Sequence, residues 1–189
     1  MRTFILSLSF LFWSMTPADA QMIVHSTPSF TSLYDLSLQC PRQVEWTIHS
    51  TDLGSSKREP SWLFFNDLHV DGALARHSDF TRSGYDRGHM CPAADRSNDT
   101  GAMRSTFSLA NVAPQSPALN RGAWKTTEDS CRKMVMIYDS IRVVSIPIFL
   151  LGDTIHIGRH HLAVPHAFVK AAWTPANDSI VGLWWFWNR

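Results

Sequence analysis

The stretch of sequence from 82 to 133 holds most of the side chains that could do chemistry. It contains the string Asp-Arg-Gly-His at 86–89 and, further along the chain, Asn120 and Glu128. The imidazole of His89 can accept a proton from water near neutral pH. Amide and carboxylate oxygens are ligands that Mg²⁺ accepts. These residue types suit a reaction in which water is activated and negative charge is neutralised.

A strand followed by a helix is the arrangement expected to position these groups. Residues 107–111, followed by Pro114 and Gln115, are typical of a strand that leaves the core and turns sharply. Ser116 can cap the next helix, and Pro117 can begin it because the first helical turn does not use the N–H that proline lacks.

A helix that begins at Pro117 places Asn120, Trp124 and Glu128 on one face, because they follow one another at i, i+4 and i+8. Asn120 then lies near the helix N-terminus. Free backbone N–H groups and the positive end of the helix dipole favour a phosphate there. The sequence therefore predicts an anion-binding surface at the start of this helix.

These motifs together resemble the DNA/RNA non-specific endonuclease family, which belongs to the ββα-metal nucleases. The matching pieces, in chain order, are 86–89, Asn111, Pro114 with Gln115, 119–124, Glu128 and Arg132. Weaker matches are Arg58 and the segment 164–170. One four-residue string would be a weak signal, whereas several pieces in the right order and spacing are a specific one.

The resemblance implies a nuclease that hydrolyses DNA and RNA, and it assigns roles to three residues of the stretch. His89 is the expected general base. Asn120 is the expected direct protein ligand of Mg²⁺, with Mn²⁺ as the alternative ion. Glu128 is expected to act on the metal through water and to belong to the catalytic set.

The remaining candidate residues divide into two groups. Arg58, Arg87 and Arg132 are expected to bind the substrate, and Arg58 and Arg87 also to neutralise the charge of the transition state. Asp86, Asn111 and Gln115 form the supporting group. The amides of Asn111 and Gln115 are expected to brace the site by hydrogen bonds, and Asp86 to tie its strand to a neighbour.

Each of these residues also has a plainer interpretation. Without the resemblance, Arg58 is a solvated surface residue, Asn120 a helix-cap or turn residue, and Glu128 a surface carboxylate paired with Arg132. A lone histidine such as His89 is more often structural than catalytic.

The function also has alternatives, which are a non-catalytic nucleic-acid-binding protein on the same fold and a phosphodiesterase of small nucleotides. A third is a histidine-rich metal-binding protein, because four histidines, His156, His160, His161 and His166, lie near Asp153. Their spacing matches no zinc pattern.

The first twenty residues, 1–20, are typical of a secretory signal peptide. They combine Arg2, an apolar run at 4–13 that is shorter than a membrane span, and a small-x-small site ending at Ala20. We therefore expect an exported protein, periplasmic or secreted, in which 21–189 is a single domain with no membrane attachment.

The formal charge of the chain is only +1, so DNA and RNA must meet a local basic patch and not a generally basic protein. A homodimer is a further expectation, and the sequence identifies no inhibitor protein. If the chain is exported, Cys40, Cys91 and Cys131 meet an oxidising compartment. A bridge between Cys91 and Cys131 is one hypothesis, although Cys40 could take either partner.

The fold class predicted is α+β, with a largely antiparallel central sheet and a ββα-metal element that holds the active site. Alternation at Val44, Trp46 and Ile48 predicts a half-buried strand. Further strands are expected at 141–149, with Pro147 at an edge or bulge, at 164–173 and at 180–187. Residues 154–157 are expected to form a hairpin with 141–149, and the aromatic run at 184–187 to enter the core.

Overall fold

A computed structural model of the chain describes residues 21–58, 63–66, 70–150 and 152–189. The predicted signal peptide lies outside these residues. The strands, in chain order, are β1 (Met22–Ser26), β2 (Thr31–Asp35), β3 (Cys40–His49), β4 (Asp86–His89), β5 (Val112–Gln115), β6 (Ser140–Ile148), β7 (His156–Ile157), β8 (Leu162–Ala163), β9 (Ala167–Thr174) and β10 (Ser179–Trp187). The α-helices are α1 (Thr100–Ser105), α2 (Pro117–Leu119) and α3 (Lys125–Tyr138). No helix in these ranges is long and apolar enough to cross a membrane.

A six-stranded sheet in the order β1-β2-β3-β6-β9-β10 forms the centre of the fold, and each of its neighbouring pairs is antiparallel. The α+β prediction with a largely antiparallel sheet is confirmed. The predicted strand at 44–48 lies within β3, and its side chains Val44, Trp46 and Ile48 are buried against the helical side.

Helix α3 packs on one face of this sheet through Cys131 and Val135, which are fully buried with Ile141 and Val143 of β6. Above the same face, β4 and β5 form a two-stranded antiparallel sheet in which Asp86 is opposite Gln115 and His89 is opposite Val112. Strands β4 and β5, followed by the helical segment, make up the predicted ββα element.

The helix expected from Pro117 is not continuous. Ser116 caps α2 by accepting a hydrogen bond from the Leu119 amide at 3.3 Å, as predicted. A π-helical turn, Asn120–Trp124, then follows, and Gly122 within it has φ −107° and ψ −110°, outside helical geometry. Such π-turns recur at functional sites.

Two local expectations about strand pairing have different outcomes. Pro147 lies in β6 beyond Ser145, the last residue paired with β3, so it occupies a part of β6 that β3 does not cover. That agrees with the predicted edge position. The hairpin between 141–149 and 154–157 is wrong, because β7 pairs with β8 in a separate two-stranded sheet.

The suggested bridge between Cys91 and Cys131 is also wrong, since all three cysteines are buried free thiols. In the aromatic run of β10, Trp184 and Phe186 pack against the core. Trp185 and Trp187 lie on the opposite face and are 51% and 52% exposed. The alternation of β10, which is an edge strand of the sheet, therefore places only half of the run in the core.

Candidate active site

Strand β4 places Arg87 and His89 on one face, because alternate residues of a strand point the same way. The turn after β4 is fixed by Asn111, which is fully buried. Its Oδ1 accepts a hydrogen bond from the Cys91 amide at 2.8 Å, and its Nδ2 donates to the carbonyl oxygens of Cys91 and Thr106, both at 2.8 Å. Asn111 thus braces the backbone beside His89.

The His89 imidazole lies between two phenylalanine rings. The ring centroids of Phe64 and Phe107 are each 4.9 Å from that of His89, and Phe107 is oriented edge-on. Burial, with a smaller contribution from the positive charge of Arg58, lowers the pKa of His89 to about 3. The imidazole is therefore neutral at physiological pH, which is the form that can accept a proton.

Trp124 connects the helical segment to the same strand. Its indole Nε1 donates a hydrogen bond to the His89 carbonyl oxygen at 3.1 Å. The Trp124 ring is 1% exposed, and the Nζ of Lys170 lies 4.0 Å from its centroid. The position of His89 relative to the helix is thus set by a hydrogen bond between its backbone and the Trp124 side chain.

Gly88 lies between Arg87 and His89 because the opposite strand leaves no room for a side chain. A Cβ at this position would be 2.5 Å from Oε1 and 2.7 Å from Cβ of Gln115, which is fully buried. No hydrogen bond to the Gln115 side chain is present within the described part of the chain. Gln115 therefore supports β4 by packing, and the hydrogen-bonded brace expected of it is not found there.

We expect Gly88→Ala to lower the free energy of unfolding by about 1 to 3 kcal/mol, because the new methyl group overpacks a rigid contact. Urea unfolding measures this change. The double variant Gly88→Ala/Gln115→Ala removes the opposing side chain and serves as the matched control. It should be less destabilised than the sum of the two single variants, and strict additivity would contradict the proposed contact.

Asn120 is held by a carboxylate that determines the direction of its amide. Its Nδ2 donates to Asp86 Oδ2 at 3.0 Å, and because an ionised carboxylate only accepts hydrogen bonds, the nitrogen must face Asp86. The carbonyl oxygen of the Asn120 side chain is thereby directed away from Asp86. Asp86 also pairs with Arg121, whose Nε and Nη2 donate to its two oxygens at 2.8 and 2.7 Å.

The carboxylate of Asp86 is well suited to this orienting role. Hydrogen bonds from Arg121, and to a lesser extent from Asn120, lower the pKa of Asp86, although partial burial acts in the opposite direction. Asp86 is therefore ionised at neutral pH. It ties β4 to the helical segment through Asn120 and Arg121.

Glu128 lies on α3, eight residues after Asn120 and beyond the π-helical turn. It does not pair with Arg132. That arginine donates instead to Asp95 Oδ1 at 2.7 Å and to Asp129 Oδ1 at 2.5 Å. Burial raises the pKa of Glu128 to about 7, although nearby Lys170 lowers it.

Without metal, the Glu128 carboxyl should make stability depend on pH. Its pKa in the folded protein exceeds the unfolded value of 4.5. The folded state therefore binds more protons between these two values, and stability falls as pH rises from about 4.5 to about 7. Relative to the wild type, Glu128→Gln should gain about 1 to 3 kcal/mol of stability between pH 4.5 and pH 8.

Urea unfolding at pH 4.5 and pH 8 measures this effect in EDTA. Asp129→Asn is the matched control. Its carboxyl has a lowered pKa, chiefly through its hydrogen bond to Arg132, and the sign of its effect is therefore opposite. A stability difference between Glu128→Gln and the wild type that is the same at both pH values would contradict the assignment.

The three predicted substrate-binding arginines occupy different settings. Arg87 is half-buried, donates from Nη2 to the His77 carbonyl oxygen at 2.7 Å and stacks on Phe80. Arg58 is exposed, and its guanidinium carbon lies 4.8 Å from the Phe107 ring centroid. A cavity of about 530 Å³ is lined by both Arg58 and Arg132, so these two arginines border the same groove.

The residues of the described ranges contain no cluster of three or more His, Cys, Asp or Glu side chains that could hold a metal ion. In the histidine-rich segment, His160 Nδ1 lies 2.9 Å from Asp79 Oδ2, and His166 Nε2 lies 2.8 Å from the Asp153 carbonyl oxygen. An ion such as Mg²⁺ needs only one or two protein oxygens and keeps several waters. The directed amide oxygen of Asn120 fits that requirement.

Sequence reasoning missed four residues that shape the site, namely Arg121, Lys170, Phe64 and Phe107. Arg121 follows Asn120 directly, and a charged neighbour of a predicted ligand was a usable signal. Lys170 belongs to the segment 164–170 that carried the weak resemblance, but a lysine that is 1% exposed is not expected from sequence. The two phenylalanines look like any other core residues.

Comparison with known proteins finds related sequences and a related fold. The model of the DNA/RNA non-specific endonuclease family matches residues 12–186. A nuclease from Nostoc sp. is 31% identical over 138 residues, which are 73% of this chain and 49% of that protein. Human mitochondrial endonuclease G is 38% identical over 105 residues, which are 51% of this chain and 35% of that protein.

The fold is similar to a chain in the crystal structure of the EndoG/EndoGI complex. The TM-score is 0.80 and the sequence identity is 26%, over 88% of this chain and 74% of that one. The chain thus spans about half, or less, of the length of the two sequence relatives above.

Proposed function

Since this chain belongs to the DNA/RNA non-specific endonuclease family, we propose that it is a metal-dependent endonuclease that hydrolyses phosphodiester bonds of DNA and RNA with little sequence preference. The observation that carries the proposal is that the two ends of β4 each position one candidate catalytic group. At one end the strand holds the neutral imidazole of His89, and at the other Asp86 directs the amide oxygen of Asn120.

Asn120 and Glu128 are the residues proposed to hold a divalent cation, either Mg²⁺ or Mn²⁺. The Asn120 oxygen would bind the ion directly. Glu128 would act on the ion through water of its hydration shell. When bound, such a cation neutralises charge on phosphoryl oxygens and stabilises the leaving oxygen.

In the proposed mechanism, His89 takes a proton from the attacking water. The positive charges of Arg87 and Arg58 offset the charge that develops on the phosphoryl oxygens. Arg132 is anchored to Asp95 and Asp129, and it would contact the substrate from the groove that it lines with Arg58. The products would carry 5′-phosphate and 3′-hydroxyl ends, as the resemblance implies.

Little sequence preference is proposed because the cationic groups of the site are suited to phosphates and not to base edges. Phosphate contacts position a protein on nucleic acid without reading its sequence. Such contacts release counterions, so binding should weaken as the salt concentration rises.

Export is the proposed localisation, with cleavage after Ala20. The support is the sequence pattern of 1–20, although the family match begins at residue 12, inside that segment. Expression of the full chain in a bacterial host, followed by intact mass measurement of the exported fraction, tests the proposal. A mature chain that begins at Gln21 is expected. Retention of the whole chain in the cytoplasm would contradict export.

The experiment that tests the activity is incubation of plasmid DNA and of RNA with the purified protein, in Mg²⁺ and in EDTA. Loss of both substrates in Mg²⁺ alone is the expected result. If both substrates stay intact while gel-shift assays still detect binding, the protein is a non-catalytic nucleic-acid-binding member of the family. Intact polymers with cleavage of a small phosphodiester would instead indicate a small-nucleotide phosphodiesterase.

A further inference from the structure

The Phe107 ring, which packs edge-on against His89, also contacts two guanidinium groups. The guanidinium carbon of Arg58 lies 4.8 Å from its centroid, and that of Arg104 lies 5.9 Å away. Phe107 is 1% exposed and stacks on Phe64, so it is a fixed part of the structure. Arg104 therefore lies close to the proposed active site, although no motif of the family resemblance included it.

Arg104 is held in place by aromatic stacking and by a backbone contact. Its guanidinium carbon is 4.5 Å from the Phe65 ring centroid, and its Nη1 donates to the Leu63 carbonyl oxygen at 2.9 Å. Phe65 itself is tied to the neighbouring segment, because its amide donates to the Phe107 carbonyl oxygen and its carbonyl accepts from the Leu109 amide. A guanidinium stacked in this way loses less conformational freedom when it binds an anion.

The electrostatic setting of Arg104 favours an anionic partner. Burial, together with the positive charge of Arg58, lowers the pKa of Arg104. A polyanion that contacts both guanidinium groups is attracted by each of them. Successive phosphates on one nucleic-acid strand present a row of negative charges that two neighbouring guanidinium groups can contact.

We propose that Arg104 binds a phosphate of the substrate strand next to the scissile phosphate, and so extends the contact surface that Arg58 begins. The proposal rests on the proposed endonuclease function. It makes Arg104 a substrate-binding residue outside the chemical step. Its contribution should depend on the length of the substrate, because a minimal diester has no neighbouring phosphate.

The test compares Arg104→Ala with Arg142→Ala in the full-length protein. Arg142 is a matched control, because it also stacks on an aromatic ring, at 5.5 Å from Trp173, but lies on the sheet face opposite Val143 and the helical layer. On long DNA and RNA, Arg104→Ala should lower kcat/KM by about 5- to 20-fold through KM. The slope of log kcat/KM against log salt should become shallower by about 0.7 to 0.9. Arg142→Ala should change neither quantity.

A second measurement locates the contact. Short oligonucleotides of defined cleavage site carry one neutral methylphosphonate at successive positions beside the scissile phosphate. In the wild type, one replacement should reproduce the KM penalty of Arg104→Ala, and the same replacement should add nothing in the variant. Cleavage of bis(4-nitrophenyl) phosphate should be equal in both proteins.

Three results would overturn the proposal. They are equal penalties in the two proteins at every methylphosphonate position, a loss confined to kcat, or a salt slope that matches that of Arg142→Ala. The methylphosphonate series in the wild type tests the proposal even if Arg104→Ala does not fold. If no replacement beside the scissile phosphate raises KM, the protein makes no such phosphate contact. A wild type that cleaves no substrate would instead refute the proposed function, so the two failures are distinct.

Discussion

His89→Ala is expected to lower kcat on DNA and on RNA by about 10²- to 10⁴-fold, the range that a positioned general base contributes. The variant removes the neutral imidazole that lies between Phe64 and Phe107. KM should change little, because the arginines that are proposed to bind phosphate remain. Steady-state cleavage of a fluorescent oligonucleotide in saturating Mg²⁺ measures both constants.

His156→Ala is the matched control, because His156 is an exposed histidine on β7. It should retain wild-type kcat. Thermal unfolding shows whether His89→Ala is folded before its kcat is interpreted. A folded His89→Ala with more than one tenth of wild-type kcat would contradict the assignment of His89 as the base.

The protonation state of His89 is a second observable of the same assignment. Because burial and Arg58 lower its pKa to about 3, its ring should stay neutral in NMR titrations from pH 8 to about pH 4, where an exposed histidine becomes charged. The unfolded chain binds a proton here near pH 6.5 and the folded one near pH 3. This group therefore adds stability as pH rises between the two values. Charging of the ring near pH 6.5 would contradict its buried placement.

Periodicity identified four of the six strands of the main sheet, β3, β6, β9 and β10. Alternation identified the strand around Trp46, and β-branched or aromatic runs identified the regions of β6, β9 and β10, because each of these strands buries at least one face. Periodicity failed for the short strand β7, which has only two residues. Its partner was settled by tertiary packing, which no local pattern encodes.

The contacts that hold the site join segments that are distant in sequence. Asn111 braces the turn at Cys91, which lies 20 residues before it. Arg132 was expected to face the substrate, and it also donates a hydrogen bond to the buried Asp95, 37 residues away in sequence. The packing of Gln115 on Gly88 and the burial of Lys170 also depend on contacts between distant segments. Sequence patterns therefore identified the groups that could act more readily than the residues that hold them.

The orientation of Asn120 by Asp86 leads to the second large effect. Asn120→Ala is expected to lower kcat/KM at 1 mM Mg²⁺ by about 10³-fold, because the several kcal/mol that a bound metal ion contributes depend on this oxygen. The Mg²⁺ concentration at half-maximal rate should rise as well. Asn177→Ala, in the exposed turn between β9 and β10, is the control and should keep wild-type activity.

A swap of the two side chains tests the orientation itself. In Asn120→Asp, two carboxylates face each other where Nδ2 of Asn120 lies 3.0 Å from Asp86, and their repulsion should disturb the site. In the double variant Asp86→Asn/Asn120→Asp, the amide at position 86 can again donate to position 120, leaving one carboxylate oxygen for the ion. The double variant should therefore cleave about 10-fold faster than Asn120→Asp alone, within the range found for groups that orient metal ligands. Equal rates would show that Asp86 does not direct the ligand. In that case β4 would position only His89, and the proposed mechanism would lose the part of β4 that orients the metal ligand.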